Sequence, residues 1–542
     1  MDSRAARVNG ELTMPRSSPA TEDPVAIIGA GIGGLAAAIR LAAAGQSVTV
    51  FEAAEAPGGK MRSLPSCAGP VDAGPTVLTL RGVFDALFAA AGTRLEDHLR
   101  LIPQPLLARH FWSDGAQLDL YADPEASTNA IRAFAGPLAA IEFQSFQAHS
   151  AALMAAFDGS MMRAARPQAL AAAGAALRNP ALWPALMTGR SLAADLARRF
   201  TDPRLRQLFG RYATYVGGAP DRSPAVLALI WQAEAAGVWA VAGGMHRLAQ
   251  ALEGLARAQG AAFRYRTPIA RFEAADGRLS ALITTQGERV PCRRAVFNGD
   301  PAALADGFLG ADAARALPRR AAHPRSLSAR VWSFAARVTG PDLTLHNVLF
   351  ADDPAAEFGP IAGGRHPVDP TIYICAQDRA EHRPEGSERF EFILNAPALC
   401  HAGGAERAEP DPKEAERCSQ MTFNRLARFG LTFDPLPGPA ALTMPEDFAA
   451  RFPGSRGALY GRSPQGSLAS FLRPTARTRM PGLYLAGGGA HPGAGVPMAA
   501  LSGQHAAEAI LADRVSTSRS RPTATPGGMS MASATTERAP SR

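Results

Sequence analysis

The sequence predicts an α/β protein built around a parallel β-sheet, and three observations near its start support this. Val25 to Ile28 is an apolar run with the length of a buried parallel strand. Apolar residues over 35–42 then recur at the spacing of one helix face. Ser47 to Phe51 is typical of a second strand, which ends at Glu52. Strand, helix and strand at these distances indicate a parallel β-α-β unit.

The turn between the first strand and the helix has the pattern G-x-G-x-x-G at Gly29, Gly31 and Gly34, with an additional Gly33. The first glycine permits a tight turn, the second lets the backbone approach a pyrophosphate, and the third lets the helix pack closely on the strand. Glu52 follows Gly34 by 18 residues (52 − 34), where a carboxylate can accept ribose hydroxyls and would repel a 2′-phosphate. We therefore predict a dinucleotide site that disfavours NADP.

A second glycine pair, Gly58-Gly59, follows Glu52 and leads into Lys60 and Arg62. An ordinary NAD dehydrogenase has no need of this pair. The stretch resembles the E-x(n)-G-G-[RK] segment of the FAD enzymes of the amine oxidase and phytoene desaturase superfamily. The resemblance implies FAD in an extended pose, with the Gly58-Gly59 turn and Lys60 or Arg62 near its phosphates.

The segment Asp72 to Thr76 looks like the next flavin-contacting segment of the same superfamily. Taken alone, it is also compatible with an ordinary turn. The resemblance implies flavin contacts from Gly74, Pro75 and Thr76.

A middle segment, Gly237 to Met245, resembles the superfamily pattern G-x-W-x-x-x-G-G-M, at which the chain returns to the FAD domain. A helix is predicted from Met245 to Gly260, and Phe263 to Phe272 is typical of a single strand. The resemblance implies that Ile269, within that strand, touches the adenine.

Residues 481–500 resemble the last FAD segment of the superfamily. Leu483 to Ala486 is predicted as a strand, a glycine turn follows, and a helix opens near Pro497, since proline suits a first helical turn. Its N-terminus would face the flavin pyrimidine edge, where reduction places negative charge. Gly489 stands where the wider superfamily commonly has an acid, which matches the carotenoid desaturase branch. The resemblance implies flavin contacts from Gly487, Gly488, Gly495, Val496, Pro497 and Met498.

Long insertions separate these FAD segments, so the sequence predicts a Rossmann-like FAD-binding domain with an α+β substrate-binding domain inserted in two pieces. The expected FAD-binding parts are 24–100, 241–301 and 476–513. The expected substrate-binding parts are 101–240, mostly helical, and 302–475, a mixed sheet. Residues 1–23 and 514–542 are polar and aperiodic and are predicted to be disordered.

Composition and net charge limit the classes of partner that this protein is expected to bind. The chain has 542 residues and a net charge of +8, which favours anionic surfaces such as lipid headgroups over acidic proteins. It lacks the interleaved aromatic and basic residues of a nucleic-acid module, and its five cysteines form no C-x-x-C, so neither nucleic acid nor a metal is expected. No apolar run is long enough to span a bilayer and no signal core is present. We expect a cytoplasmic protein peripherally associated with the inner membrane.

The resemblance extends over residues 24–512 and is to the bacterial carotenoid desaturases of the phytoene desaturase family. Its most specific stretches are 64–82, 204–218 and 237–245. It implies removal of two hydrogens from a C–C bond of a carotenoid, in particular 3,4-desaturation of a 1-hydroxycarotenoid, with hydride transfer to flavin N5. Because the allylic cation is delocalised along the polyene, we expect no obligatory catalytic side chain. Arg211 and His491 are candidates for proton or polar-group handling.

Four alternatives share parts of this pattern. A phytoene desaturase or an amine oxidase would use the same fold. A carotenoid cis–trans isomerase would use reduced FAD without net oxidation. A non-enzymatic prenyl-binding protein of this fold would need no flavin, although the intact glycine turn and Glu52 argue against it.

Residues 176–200 are the best candidate for contact with the membrane that supplies the substrate. They combine apolar residues with arginines, which suits the headgroup boundary. Ser191 is predicted to cap a helix whose Leu192, Leu196 and Phe200 share one face, and this face alternatively packs on the substrate domain. The proposed contacts are Leu182, Trp183, Leu186 and Met187 with Arg178, Arg190, Arg198 and Arg199.

Overall fold

The structure, a computed structural model, describes residues 24–519 apart from 400–411, 467–468, 470–471 and several positions between 169 and 188 (169, 172–173, 175–177, 180–181 and 184–188). Its helices are α1 (Ile32–Ala43), α2 (Gly82–Ala90), α3 (Pro124–Phe157), α4 (Leu192–Arg199), α5 (Pro203–Gly210), α6 (Leu229–Ala235), α7 (His246–Ala258), α8 (Pro301–Ala305), α9 (Ala311–Ala314), α10 (Pro354–Ala362), α11 (Pro412–Arg428), α12 (Pro445–Arg451) and α13 (Val496–Arg519).

The strands run from the start of the described chain almost to its last helix. They are β1 (Val25–Ile28), β2 (Val48–Phe51), β3 (Ser63–Leu64), β4 (Val71–Asp72), β5 (Leu101–Pro103), β6 (Leu106–Phe111), β7 (Gln117–Tyr121), β8 (Trp239–Val241), β9 (Ala262–Arg264), β10 (Ile269–Ala275), β11 (Arg278–Thr284), β12 (Arg289–Pro291), β13 (Ala295–Phe297), β14 (Ser328–Thr339), β15 (His346–Leu349), β16 (Ile372–Ala376), β17 (Glu388–Ala396), β18 (Thr432–Asp434), β19 (Leu442–Thr443) and β20 (Leu483–Leu485).

A five-stranded parallel sheet with the order β20-β13-β1-β2-β9 forms the centre of the first half of the molecule. Its strands come from three separated stretches of chain, and Ala295 of β13 is paired with both Ala26 of β1 and Leu483 of β20. The four strands β20, β13, β1 and β2 are short, mostly apolar and largely buried, as parallel strands covered on both faces must be, whereas the edge strand β9 is partly exposed. The sheet therefore brings the early, middle and late segments together at one edge.

Helix α1 packs on this sheet and against α13, the last helix described. The contact is close because both helices present glycine and alanine at their crossing. A Cβ atom at Gly503 would lie 2.1 Å from the Gly33 carbonyl oxygen and 2.9 Å from the Ala37 nitrogen. Only glycine at 503 lets the two helices approach this far.

The second half contains an eight-stranded mixed sheet with the order β18-β14-β17-β16-β15-β6-β7, in which β19 also pairs with β14. One face of it packs on α11 through a cluster of aromatic rings that includes Phe334, Phe392 and Phe433. Helices α3 to α6 form a separate apolar core with Phe143, Phe209 and Trp231 at its centre. Strands β10 to β12 form a small antiparallel sheet, β3 pairs with β4, and β5 pairs with β8.

Two expectations require correction, and a third is not tested. The stretch Phe263 to Phe272 forms two strands, not one, because β9 ends at Arg264 and β10 begins only after Thr267 and Pro268. Strand β10 belongs to the small antiparallel sheet and not to the parallel one. The boundary expected at 513 falls inside α13, which continues to Arg519. The predictions for residues 1–23 and for 520–542 lie outside the described residues.

Candidate active site

The glycine turn lies at the carboxyl end of β1 and has the geometry that the sequence predicts. Gly29 adopts a φ of +99°, which an L-residue rarely adopts. A Cβ at Gly34 would lie 2.1 Å from the Gly29 carbonyl oxygen, and one at Gly33 would lie 2.6 Å from the Gly487 nitrogen. Gly31 precedes α1 as its N-cap and offers no side chain to the first-turn N–H groups. This helix end is therefore suited to bind a phosphate.

Asn298, which follows β13, is a functional candidate that the sequence interpretation did not single out. Its Nδ2 donates to the Gly29 carbonyl at 3.0 Å, and its Oδ1 is buried with no hydrogen-bond partner among the described residues. Cβ atoms at Gly33 and Gly487 would lie within 3 Å of that oxygen. A buried acceptor without a donor, beside a glycine cradle, fits a site for a bound dinucleotide. Asparagine directly after a buried strand was the signal available in the sequence.

Glu52 ends β2 at the same edge of the sheet. It is buried, its Oε2 accepts from the Ala30 nitrogen at 2.6 Å, and its Oε1 accepts from the Ala54 nitrogen at 2.8 Å. Its backbone carbonyl accepts from the Thr267 nitrogen at 2.8 Å. Ile269 begins β10 two residues later and packs in the same apolar cluster as Phe51 and Ile28. The predicted ribose and adenine residues are thus neighbours, and their contacts with a cofactor stay predictions.

The second glycine pair lies directly against the first turn. The Gly58 nitrogen donates to the Ala30 carbonyl at 2.9 Å, and a Cβ at Gly59 would lie 3.3 Å from the Gly31 Cα. Lys60 and Arg62 extend the other way: Lys60 Nζ donates to the Leu459 carbonyl at 2.5 Å and Arg62 Nη2 to Thr443 Oγ1 at 2.7 Å. Burial lowers the pKa of Lys60 to about 8. Both bases are therefore engaged by the later part of the chain, and a role at a phosphate stays a prediction.

The segment from Asp72 to Thr76 has one structural residue and two that face a cavity. Asp72 accepts from the nitrogens of Met245 and His246 at 2.7 and 3.3 Å and so caps the start of α7. Burial raises the pKa of its carboxyl. A Cβ at Gly74 would lie 2.0 Å from the Lys60 carbonyl oxygen, whereas Pro75 and Thr76 line the cavity.

The last segment reaches the same cavity. The Gly487 nitrogen donates to Ser502 Oγ at 2.7 Å, and the Gly488 carbonyl accepts from Arg473 Nη1 at 2.9 Å. Helix α13 begins at Val496 as expected, with Pro497 in its first turn. Its N-terminal end opens on the cavity, where the helix dipole favours negative charge. The cavity-lining residues from this segment are His491, Pro492, Gly493, Ala494, Gly495, Val496, Pro497 and Met498, whereas Gly487 and Gly488 are not part of the lining.

The cavity has a volume of about 1160 Å³, above the roughly 300–1,000 Å³ of usual small-molecule sites. One wall is the face of the eight-stranded sheet that carries Val348, Tyr373 and Ile393 side by side. Apolar side chains of α3 and α6, such as Phe157 and Ile230, form the opposite wall. The space therefore fits a long apolar molecule.

A few polar groups interrupt this apolar lining. The Tyr373 hydroxyl lies 2.7 Å from both Thr76 Oγ1 and His346 Nδ1. His491 lines the cavity, its Nε2 lies 2.9 Å from the Ala164 carbonyl, and burial lowers its pKa to about 4. Arg211 also lines the cavity, so both candidates from the sequence reach the predicted substrate space. Tyr373 and His346 were not predicted as site residues.

The structure describes only part of the predicted membrane contact at residues 176–200. Leu182 is 1% exposed and belongs to the helical core, so its assignment to a surface is wrong. Trp183 is 45% exposed, while Leu186 and Met187 lie outside the described residues. Ser191 Oγ accepts from the Ala194 nitrogen and caps α4 as expected. Leu192 and Leu196 of α4, together with Phe200 directly after the helix, are buried in the helical core. This agrees with the alternative in which this face packs on the substrate domain.

Comparisons with known proteins agree with this site. A family model described as flavin containing amine oxidoreductase matches residues 32–511. Hydroxyneurosporene desaturase of Cereibacter sphaeroides is 59% identical over 91% of this chain and 99% of its own. That of Rhodobacter capsulatus is 54% identical over 92% of this chain and 100% of its own. The solved structure of cyclohexylamine oxidase from Brevibacterium oxydans has the same fold, with a TM-score of 0.55, 18% identity, and coverage of 91% of this chain and 100% of that one.

The chain belongs to the flavin-containing amine oxidoreductase family and, within it, to the carotenoid desaturases. The predicted family and fold class are thereby confirmed, and so is a flavin cofactor. In the part of the chain that the structure describes, no cluster of three His, Cys, Asp or Glu side chains is arranged to hold a metal ion.

Proposed function

We propose that this protein is an FAD-dependent carotenoid desaturase that forms the 3,4 double bond of a 1-hydroxycarotenoid such as hydroxyneurosporene. The observation that carries the proposal is the large apolar cavity that ends at Pro75, Thr76 and the N-terminus of α13. The two relatives at 59% and 54% identity, both hydroxyneurosporene desaturases, support this choice of substrate.

The reaction removes two hydrogen atoms from adjacent carbons, one as a hydride that carries both electrons and one as a proton. FAD, when bound, would supply the hydride acceptor at N5, and an external oxidant such as oxygen or a quinone would be needed for further turnovers. The residues that would hold FAD are those of the glycine turns, Glu52, Ile269 and the segment 487–498.

The residues of the chain position the substrate and exclude water from the cavity. The apolar walls hold the polyene so that one C–H bond is presented to the end of the cavity formed by Pro75 and Thr76. The low pKa of His491 keeps this side chain neutral at pH 7, so it is a weak base at most. This fits the expectation that proton loss from a delocalised cation needs no dedicated side chain.

In this proposal the enzyme collects its substrate from the inner membrane while it remains on the cytoplasmic side. No helix in the described parts of the chain is long and apolar enough to cross a bilayer. The cavity lining includes exposed Gly189 and half-buried Arg190, so the cavity reaches the surface at these two residues. The exposed Trp183 precedes them in the chain, and an indole and arginines in this stretch suit the headgroup boundary.

The test is incubation of FAD-loaded enzyme in lipid vesicles with a 1-hydroxylated carotenoid and with its unhydroxylated counterpart. We expect a product two mass units lighter, with a red-shifted absorption, from the hydroxylated substrate. Equal turnover of phytoene would instead assign a general phytoene desaturase.

Other outcomes would identify the remaining alternatives. An isomerised product of unchanged mass under anaerobic conditions, with no requirement for an acceptor, would assign a cis–trans isomerase. A colourless purified protein that binds carotenoid but no FAD would assign a prenyl-binding protein. Oxidation of a primary amine, without turnover of carotenoid, would assign an amine oxidase.

A further inference from the structure

One wall of the cavity contains a buried ionic cluster that the reaction described above does not use. Arg211 Nη2 lies 3.8 Å from Glu234 Oε1. The Tyr212 hydroxyl donates to Glu234 Oε1 and the Tyr215 hydroxyl to Oε2, each at 3.0 Å. The Arg211 guanidinium carbon lies 5.1 Å from the centroid of each tyrosine ring. A charged pair in an otherwise apolar wall is costly unless its donors and acceptors are satisfied.

Both oxygens of the carboxylate in this cluster accept hydrogen bonds, whereas in the part of the chain that the structure describes the guanidinium has only the Tyr215 hydroxyl as a close polar neighbour besides that carboxylate. Both Glu234 oxygens accept a tyrosine hydroxyl, and this side chain is 5% exposed. Arg211 is 10% exposed, and its Nε is buried with no hydrogen-bond partner among the described residues. Arginine can only donate, through five N–H groups. Because Nε is enclosed, a hydrogen bond to a bound molecule must come from the Nη groups of this cavity-lining residue. Nη2 lies 3.8 Å from Glu234 Oε1, too far for a hydrogen bond to that carboxylate.

The cluster acts electrostatically on His346 of the sheet wall. Burial and, to a smaller extent, the charge of Arg211 lower the pKa of His346 to about 3. His346 is hydrogen-bonded to Tyr373, and Tyr373 to Thr76 of the predicted flavin segment. These contacts relate Arg211 to Thr76 through two side chains of the sheet wall.

The chemistry of the proposed substrate requires a polar group in this region. The hydroxyl on C1 is separated from C3 by only C2, so whatever holds the hydroxyl oxygen also positions the C3–C4 bond. An unhydroxylated chain end would leave the donor buried and unpaired, which disfavours its binding. Such a site selects the hydroxylated chain end, because an unhydroxylated end leaves the donor without an acceptor.

We propose that Arg211, held by Glu234 and flanked by Tyr212 and Tyr215, donates a hydrogen bond to the terminal oxygen of the substrate and sets which bond of the chain is oxidised. This inference rests on the proposed function and names the residue that selects the hydroxylated end. Glu234 is a positioning residue, because it holds the guanidinium and has its own oxygens occupied.

The test compares FAD-loaded wild type with Arg211→Met, Arg211→Lys and the double variant Arg211→Met/Glu234→Gln. The double variant removes the buried carboxylate that would otherwise lose its cation and threaten folding. Arg204→Met is the matched control, since Arg204 also lines the cavity but is paired with Asp202 at 2.8 Å. The readouts are the ratio of kcat/KM for the hydroxylated and unhydroxylated carotenoids and the Kd of each, measured by the absorption shift of the bound polyene.

We expect Arg211→Met and the double variant to reduce this preference by roughly 5- to 150-fold, the cost of one buried unpaired donor. Arg211→Lys should recover part of it, and Arg204→Met should keep the wild-type ratio. If the double variant folds, binds FAD and keeps the wild-type ratio, the role of Arg211 is overturned while the proposed function stands. Wild type that shows no preference for the hydroxylated carotenoid would overturn the proposed substrate, and the role of Arg211 with it.

A measurement on the wild type alone covers the case in which these variants fail to fold. A short linear terpenoid with a tertiary alcohol end should inhibit the wild-type enzyme at least several-fold more strongly than its deoxy counterpart. Equal inhibition by the two compounds would count against a donor at the chain end.

Discussion

The glycine turn at the end of β1 and the wall of the cavity are held in place by different kinds of contact. The turn is defined by backbone atoms: Gly33 and Gly34 approach amide and carbonyl groups to distances that no side chain permits, and Gly29 adopts a φ of +99°. The cavity wall is defined by side chains from distant parts of the chain, such as Thr76, Arg211 and Tyr373. The first region therefore tolerates almost no substitution, whereas the second can change its specificity residue by residue.

The largest effect should come from Gly34→Ala. The added Cβ would lie 2.1 Å from the Gly29 carbonyl oxygen, a backbone atom that cannot move away without displacing β1 or α1. We expect a loss of stability of more than about 3 kcal/mol and little soluble holoprotein, measured by thermal unfolding and bound flavin. Gly254→Ala in α7 is the control, since its Cβ meets nothing within 4 Å and should raise stability slightly. Normal holoprotein from Gly34→Ala would contradict this account of the turn.

A smaller effect, mainly on the cofactor, is expected from Gly31→Val and Glu52→Arg, although Glu52→Arg also removes two hydrogen bonds from backbone N–H groups and should lower stability. Valine would occupy the approach to the pyrophosphate and would place its Cβ 2.9 Å from Asn298 Nδ2. Arginine would remove the acceptor for the ribose hydroxyls. Both variants should lose FAD on gel filtration, as read from the ratio of flavin to protein absorption. Yellow holoprotein with the wild-type ratio from both variants would refute the cofactor assignment at this turn.

In the predicted membrane contact, Trp183→Ser should lower binding to anionic vesicles several-fold and slow turnover of membrane-embedded carotenoid. FAD content and activity in detergent should stay unchanged, because Trp183 is 45% exposed. Adding Leu186→Ser and Met187→Ser should extend the effect. Leu182→Ser is the contrasting variant: it buries a hydroxyl in the helical core and should cost about 2–4 kcal/mol of stability instead. Unchanged vesicle binding by the folded triple variant would exclude this patch as the membrane contact.

The smallest effect on turnover is expected at His491. Burial holds the pKa of this imidazole at about 4 against an ordinary 6.5, so between these values the unfolded chain binds a proton that the folded chain does not. Stability contributed by the neutral side chain is therefore lost as the pH falls from about 6.5 to 4. His491→Asn should make this loss shallower in thermal unfolding and leave kcat within about threefold between pH 5 and 8. A drop in kcat above a hundredfold, with normal FAD content, would make His491 an obligatory proton carrier.

The sequence predicted those parts of the structure that depend on local backbone geometry. The β-α-β unit, Glu52 at the sheet edge and the start of α13 near Pro497 follow from glycine spacing and apolar runs within a few tens of residues. The interruption between β9 and β10 was missed because both halves of that stretch are good strand formers, and Pro268 is the only strand-breaking residue type between them. Leu182 was assigned to a surface because an apolar residue beside tryptophan and arginine has the same pattern whether it faces lipid or a core.

The cavity could not be predicted in the same way. Its polar contacts join residues hundreds of positions apart, as Thr76 to Tyr373 and Ala164 to His491 do, and no local spacing encodes such pairs. Asn298 likewise gains its meaning only when β13 places it beside Gly29 and Gly487. The engagement of Lys60 by the Leu459 carbonyl is another long-range contact of this kind.

The close crossing of α1 and α13 at Gly33 and Gly503 has a consequence for how the protein is made. Strand β1 and helix α1 are synthesised 470 residues (503 − 33) before the glycine at which α13 crosses α1. During that interval the apolar surface of α1 is uncovered, which is the condition under which nascent chains aggregate or recruit chaperones. Synthesis rate and chaperone supply should therefore limit the yield of this protein more strongly than the stability of its finished fold.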